Sequence, residues 1–291
     1  MKIGLALGGG GARGFFHIGV LKSFEKLKLK IDIIAGTSIG AIIGGLYSLY
    51  QDASYVEKVT VDVLGKYREA ISFLKGYSST SGIEEKRVFL ENSFQYIEAS
   101  SLWNLRIAKP YLIDPKPFIR VSRALFKNYR FSDCKIPFIV TGVDLIKSEA
   151  VFFQEGLLSK AVIVSCALPG FFPPVKRKNE LLVDGGVLLH LPAEPLKEYA
   201  DFIVGINVEH FRFTPSPIRD AVDVLFCADR VRWKNAIENT LKAADFLISA
   251  PTEGIFWGDF DKAKELIEQG EKTGLMYGEE LLKALRRERI K

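Results

Sequence analysis

Ile31-Asp32-Ile33-Ile34-Ala35-Gly36-Thr37-Ser38-Ile39-Gly40-Ala41-Ile42-Ile43-Gly44-Gly45-Leu46-Tyr47 is the stretch that decides the fold. Its first five residues read as a short apolar strand, and the residues from Ile39 onward read as an apolar helix. Between them, Gly36-Thr37-Ser38-Ile39-Gly40 fits G-x-S-x-G. A serine at such a strand-to-helix junction sits on a nucleophile elbow. Gly36 and Gly40 permit a tight turn that a Cβ would block. The helix N-terminus behind Ser38 offers N–H groups and a dipole to developing negative charge. The same residues also describe a plain βα turn with Ser38 as its N-cap.

Working outward, the chain opens on a second strand-to-helix junction. Leu5-Ala6-Leu7 enters four consecutive glycines, Gly8 to Gly11, followed by Ala12-Arg13-Gly14. Val20, Leu21, Phe24 and Leu27 then recur at helical spacing. A glycine run before a helix exposes backbone N–H groups and forms an anion-binding nest. Gly9-Gly10-Gly11-Ala12-Arg13-Gly14 also fits the dinucleotide pattern G-x-G-x-x-G. That use requires an acidic residue at the end of the second strand. Asp32 opens that strand instead, and a P-loop Gly-Lys-Ser/Thr is absent. Beside a nucleophilic serine, the nest has another use, as hydrogen-bond donor to an acyl-transfer oxyanion.

A nucleophilic serine requires a base. The histidines are His17, His190 and His210. His17 falls in the first turn of a helix, a packing or capping context. His190 and His210 fall in loop contexts. The other candidate is Asp184-Gly185-Gly186, which follows the apolar run Leu181-Leu182-Val183. An aspartate there can reach a neighbouring site, although Asp-Gly is also a common turn.

With these blocks in place, the chain resembles the patatin-like phospholipases, serine lipid acyl hydrolases that use a Ser-Asp dyad. Gly9 to Gly14 with His17-Ile18-Gly19 looks like their oxyanion block, and Gly36 to Gly40 like their nucleophile block. Ser165-Cys166-Ala167-Leu168-Pro169-Gly170-Phe171-Phe172-Pro173-Pro174-Val175 looks like their third block, and Asp184-Gly185-Gly186, with Leu191-Pro192 just after, like the block of the dyad aspartate. Residues 253–270 resemble the C-terminal part of bacterial members. The resemblance implies Ser38 as nucleophile, Asp184 as base and Gly9, Gly10 and Gly11 as the oxyanion hole. Gly36, Gly40, Gly14, Gly185 and Gly186 support the motifs. Arg13 is expected to order the glycine loop through carbonyls rather than to meet a head group. The segment 72–133 carries no family block, so nothing about substrate follows from it.

Two other readings stay open at this point. One is an α/β-hydrolase-type triad, because Ser38, Asp184 and His210 follow the order Ser…Asp…His. The other is a nucleotide-binding module without hydrolase activity.

Composition fits a globular enzyme. The chain has 291 residues, is 48% hydrophobic and carries a net charge of +5, a mild excess rather than a nucleic-acid signature. Cys134, Cys166 and Cys227 show no disulfide or metal spacing and fit a reducing, cytoplasmic compartment. The first strand is expected to begin at residue 2 or 3, so no signal peptide is expected before it. The apolar run 33–50 is split by its turn into pieces too short to span a bilayer.

The expected fold is one α/β domain over 1–291, three-layer α/β/α with a mainly parallel sheet. Strands are predicted at 2–7, 31–35, 137–143, 161–165, 181–184 and 202–208. Helices are predicted at 14–27, 39–50, 53–70, 84–97, 115–126, 261–269 and 276–288, with 210–291 a C-terminal helical part. Asp144, another strand-end carboxylate, reads as structural. Within 78–130, Trp103, Leu105, Tyr111, Leu112, Phe118 and Phe126 interleave with Lys109, Lys116, Arg120, Arg123 and Lys127. That pattern suits either an inserted helical cap meeting a lipid surface or a pair of ordinary surface helices. The expected function is hydrolysis of lipid acyl esters, with peripheral membrane contact, no metal, no cofactor and no nucleic acid. No oligomeric state follows from the sequence.

Overall fold

A computed structural model describes residues 1–67, 111, 113–209, 218 and 221–288. One mixed sheet forms the centre, in the order β5-β6-β3-β2-β1-β7-β8 with β4 paired to β3. The strands are β1 (Ile3–Leu7), β2 (Ile33–Gly36), β3 (Phe138–Asp144), β4 (Glu149–Phe153), β5 (Val175–Arg177), β6 (Glu180–Asp184), β7 (Phe202–Asn207) and β8 (Phe246–Ser249). The run β3-β2-β1-β7-β8 is parallel, whereas β4, β5 and β6 are antiparallel.

Alternation along the central strands sorts side chains by size. Ile3, Leu5, Leu7, Ile34, Phe138, Val140, Phe202, Val204 and Ile206 face the larger core. Helices α1 (Phe15–Lys26), α2 (Ile39–Tyr50), α3 (Ala53–Lys66), α4 (Pro115–Phe126), α5 (Leu158–Ser165) and α7 (Ala263–Glu288) close that side. Ala6, Ile33, Ala35, Ile139 and Ile203 face a smaller core. It is covered by Leu191, Ala193 and Leu196 and by residues at and after the end of α6 (Ala221–Leu241). The second face therefore carries a thin cover rather than a full helical layer.

Three sequence expectations change. Residues 161–165 belong to helix α5, not to a strand; Leu158, Ala161, Val162 and Ser165 are buried at helical spacing. A short apolar run cannot by itself separate the two periods. The two helices at 261–269 and 276–288 are one helix, α7. Gly270, Gly274 and Gly278 form a stripe against α1. A Cβ at these positions would strike Phe16, Ser23 and Leu27. Finally, β4, β5 and β8 were not expected; α6 lies within the expected C-terminal helical part, and β8 makes that part a contributor to the sheet as well.

The stretch 78–130 is described only at Tyr111 and 113–130, so the predicted helix 84–97 with Trp103, Leu105, Lys109 and Leu112 lies outside the described residues. Its described helix, α4, belongs to the core. Phe126 is fully buried, and Ser122 Oγ donates to the Ser159 carbonyl of α5 at 3.1 Å. No helix among the described residues is long and apolar enough to cross a membrane.

Candidate active site

The sheet register brings the three sequence blocks to one rim. In the β1–β2 pair, Leu7 lies opposite Gly36. The glycines after Leu7 therefore run beside Thr37 and Ser38. In the β2–β3 pair, Gly36 lies opposite Val140, and two residues further along β3 Gly142 lies opposite Asp184. Strand β3 thus sets Ser38 and Asp184 against a common ruler.

Ser38 has φ 55° and ψ −121°, a left-handed conformation for a residue with a Cβ. Such a backbone costs about 1–3 kcal/mol and persists only when its surroundings hold it. Crowding at the elbow explains the flanking glycines. A Cβ on Gly36 would meet the Gly40 carbonyl, and one on Gly40 would meet the Leu7 carbonyl. Although Ser38 occupies the N-cap of α2, its side chain makes no capping bond. Its hydroxyl is left for the site.

That hydroxyl lies close enough to the Asp184 carboxylate and the Cys166 thiol to lower the pKa of each. Burial pushes the thiol well above its ordinary value, and the Asp184 charge adds to this. Of the two, the Asp184 carboxylate is the stronger acceptor for the Ser38 proton. Asp184 is itself buried, and burial raises its pKa from 3.8 to about 7 against the opposing bonds from Gly186 and Ser38. Asp184 Oδ1 accepts the Gly186 N–H at 2.7 Å. A base tuned near neutrality suits proton abstraction from a hydroxyl.

The glycine nest is braced from behind. Arg13 pairs with the Glu209 carboxylate through both terminal nitrogens, at 2.7 and 2.5 Å, and its Nε donates to the Gly10 carbonyl at 3.2 Å. Arg13 is buried and turned to a carbonyl and a carboxylate, in line with a loop-ordering role. Gly10 and Gly11 have φ 152° and 58°, values that favour glycine. The expectation that all three glycines offer an amide narrows at Gly9. Its N–H donates to the His190 carbonyl at 3.0 Å. The N–H groups of Gly10 and Gly11 have no protein partner among the described residues.

Several site residues carried no sequence signal for their roles. Thr37 Oγ1 donates to the Leu189 carbonyl at 2.8 Å and meets Thr141 Oγ1 at 2.7 Å. With Thr37's proton committed to Leu189, Thr141 is the donor in that pair. Ser165 Oγ accepts the Ser38 N–H at 2.9 Å. His17 and His190 are buried and neutral: burial lowers them to about 4 and about 3, with the Arg13 charge contributing at His190. His17 Nε2 bonds the Gly8 carbonyl at 2.9 Å. His210 lies outside the described residues.

Asp32 lies far from the nest. Its Oδ2 accepts the Ile3 N–H at 2.9 Å, at the opposite end of β1 from Gly8. No acidic residue of the second strand is thus in place for a ribose, which removes the support for a dinucleotide site.

Comparison with known proteins gives the following. The family profile described as patatin-like phospholipase matches residues 5–197. Among curated proteins, the chain is 26% identical to Lysophospholipase NTE1 of Cryptococcus neoformans, covering 94% of this chain and 17% of that protein. It is 32% identical to Lysophospholipase NTE1 of Coccidioides immitis, covering 71% of this chain and 11% of that protein. An uncharacterized NTE family protein of Mycobacterium bovis is 29% identical over 76% of this chain and 52% of its own length. The chain thus spans about half or less of these relatives. Among solved structures, VipD from Legionella pneumophila aligns with 94% of this chain and 66% of its own, at 14% identity and a TM-score of 0.46.

Proposed function

The chain belongs to the patatin-like phospholipase family, and from that membership and the geometry of its elbow we propose that it is a serine hydrolase of lipid acyl esters. The observation that carries this reading is the Ser38 hydroxyl, held on a strained elbow close enough to the buried Asp184 carboxylate to lower its pKa. In the proposed reaction, Ser38 Oγ attacks the ester carbonyl carbon while its proton passes to Asp184. Negative charge then gathers on the carbonyl oxygen, where the N–H groups of Gly10 and Gly11 receive it. Each such donor contributes about 3 kcal/mol in the transition state. Asp184 returns the proton to the departing alcohol as the acyl-enzyme forms. Water, with its proton drawn by Asp184, then releases the fatty acid and restores Ser38.

Exposed Leu168, Val187 and Leu188 support an apolar substrate. Leu168 follows Ala167, whose carbonyl accepts the Asp184 N–H, and Val187 and Leu188 close the turn after Asp184. The same rim supports peripheral contact with a lipid surface. The relatives named lysophospholipase make a monoacyl phospholipid the first substrate class to try. Free Cys134, Cys166 and Cys227 support a reducing compartment such as the cytoplasm.

Fluorophosphonate labelling with the adduct located by mass spectrometry tests the reading, beside turnover of a nitrophenyl acyl ester and a lysophospholipid. The expected adduct is on Ser38. An adduct elsewhere, or nucleotide binding without ester turnover, would sink it.

A further inference from the structure

The turn at the end of α5 holds the dyad at three successive positions. Ser165 Oγ accepts the N–H of Ser38 at 2.9 Å. The next residue, Cys166, lies near enough to the Ser38 hydroxyl for its thiol pKa to be lowered by it. The residue after that, Ala167, accepts the N–H of Asp184 on its carbonyl at 3.0 Å. Ser165 is fully buried, and its contact with Ser38 spans 127 positions of sequence.

We propose that Ser165 is a positioning residue for the nucleophile, its hydroxyl pinning the left-handed backbone of Ser38 so that Oγ faces Asp184. This rests on the hydrolase reading given above. The argument is geometric. Rotation about φ of Ser38 swings its side chain relative to its own N–H. On the carbonyl side, Ser38 is already fixed: its oxygen accepts the N–H groups of Ala41 and Ile42 at 2.9 and 3.2 Å. On the amide side, the recorded anchor is Ser165. With both ends held, φ stays at 55° and Oγ keeps its aim. Without the Ser165 hydroxyl, the Ser38 N–H loses its partner, and a backbone that disfavours a Cβ is free to relax.

A purely structural role would lower the melting temperature and nothing more. A positioning role also slows the chemistry of Ser38. The experiment compares the parent chain with Ser165→Ala, Ser165→Thr and Ser165→Cys. It follows the rate of fluorophosphonate adduct formation on Ser38, and kcat and KM for a soluble nitrophenyl ester. Ser165→Ala is expected to slow labelling and kcat together by roughly 10–100-fold, the scale of a small misplacement of a reacting group, with little change in KM. Ser165→Thr keeps the hydroxyl and restores most of the rate. The acid limb of labelling moves to higher pH in Ser165→Ala, because Asp184 loses the Ser38 bond that lowers its pKa. Should Ser165→Ala fail to fold, Ser165→Cys decides. Its sulfur is a weak acceptor of similar shape, so labelling between the parent and the expected alanine rate supports the proposal. Parent-like labelling in whichever of the two variants folds overturns this inference alone. Absence of any Ser38 adduct in the parent overturns the hydrolase reading, and this inference with it.

Discussion

Asp144 and Asp184 end neighbouring strands of one sheet, both buried, and they are paired against each other's strands in the register Asp144–Leu182 and Gly142–Asp184. Burial works against the charge of each. At Asp144, two backbone N–H groups, from Ile146 at 3.0 Å and Leu181 at 3.1 Å, together with the Lys147 cation, outweigh it and hold the carboxyl below its ordinary value. At Asp184, the donors are the Gly186 N–H and the Ser38 hydroxyl, burial prevails, and the pKa rises to about 7. Neither residue type nor strand end separates a turn-fastening aspartate from a base; the Lys147 cation at the one and the prevailing burial at the other do.

The largest effect expected is on activity. Ser38→Ala and Asp184→Asn should each lower ester turnover by roughly 10³-fold or more, since the two act as a unit. Asp144→Asn should leave turnover within about threefold, because its carboxylate fastens backbone and touches neither member of the dyad. Initial rates on a nitrophenyl ester, with circular dichroism as the folding control, check this. An Asp144 variant as inactive as the Asp184 variant would erase the contrast. His210→Ala should keep most activity, and if it were as inactive as Ser38→Ala a triad would replace the dyad.

The pH behaviour sharpens the same contrast. Activity should rise with pH through a midpoint near 7 as Asp184 loses its proton. Stability should move the other way. Asp184 has a folded pKa above its unfolded one, so the native state holds the extra proton between about 4 and about 7 and loses stability as pH rises through that window. Asp184→Asn should therefore unfold at higher denaturant than the parent at pH 8, by up to about 4 kcal/mol, and match it near pH 4. Asp144 has a lowered folded pKa, so its stabilisation is present above the unfolded value and lost in acid. Asp144→Asn should be less stable than the parent at pH 8. Urea melts at the two pH values read both signs.

At the nest the expected effect is smaller. A Cβ on Gly10 would lie 2.7 Å from Val208 Cγ2, on a backbone with φ 152°. Gly10→Ala should lower kcat by roughly tenfold to a hundredfold with a lesser change in KM, because an oxyanion contact tightens only in the transition state. An unchanged kcat in a folded variant would remove Gly10 from the oxyanion site.

Why the aspartates, the elbow and the nest could be read from sequence, and their supports could not, follows from where the information lies. Ser38, Asp184 and the nest each follow an apolar strand and stand beside glycines, so local pattern marks them. Helix α4 was likewise legible to the residue, predicted and found at 115–126. Thr141 and the His190 carbonyl serve the site only through register and long-range folding; Ser165 and Cys166 stood in a block of family resemblance, but nothing local told what they hold. The apolar run Val162-Ile163-Val164 misled the reading of α5 as a strand. The glycines of α7 mark close approach to α1, which only the packing shows.

The smallest effect belongs to Thr141, on the strand that registers both aspartates. It lies between Val140, opposite Gly36, and Gly142, opposite Asp184. Its hydroxyl donates to Thr37 Oγ1 at 2.7 Å, next door to the nucleophile, and touches the Gly36 carbonyl only at 3.5 Å. Thr141→Val preserves shape and removes one hydroxyl. Thr37 keeps its own bond to the Leu189 carbonyl, so no donor is orphaned. The cost is one buried neutral hydrogen bond, about 1 kcal/mol of stability, readable as a shift in the urea midpoint. Turnover should fall by about threefold at most, and the acid limb should stay near 7, because neither oxygen of Asp184 bonds Thr141. A Thr141→Val chain that folds but is as inactive as Asp184→Asn would mean that β3 acts on the dyad directly. Its role would then reach beyond fixing where the two strand ends meet.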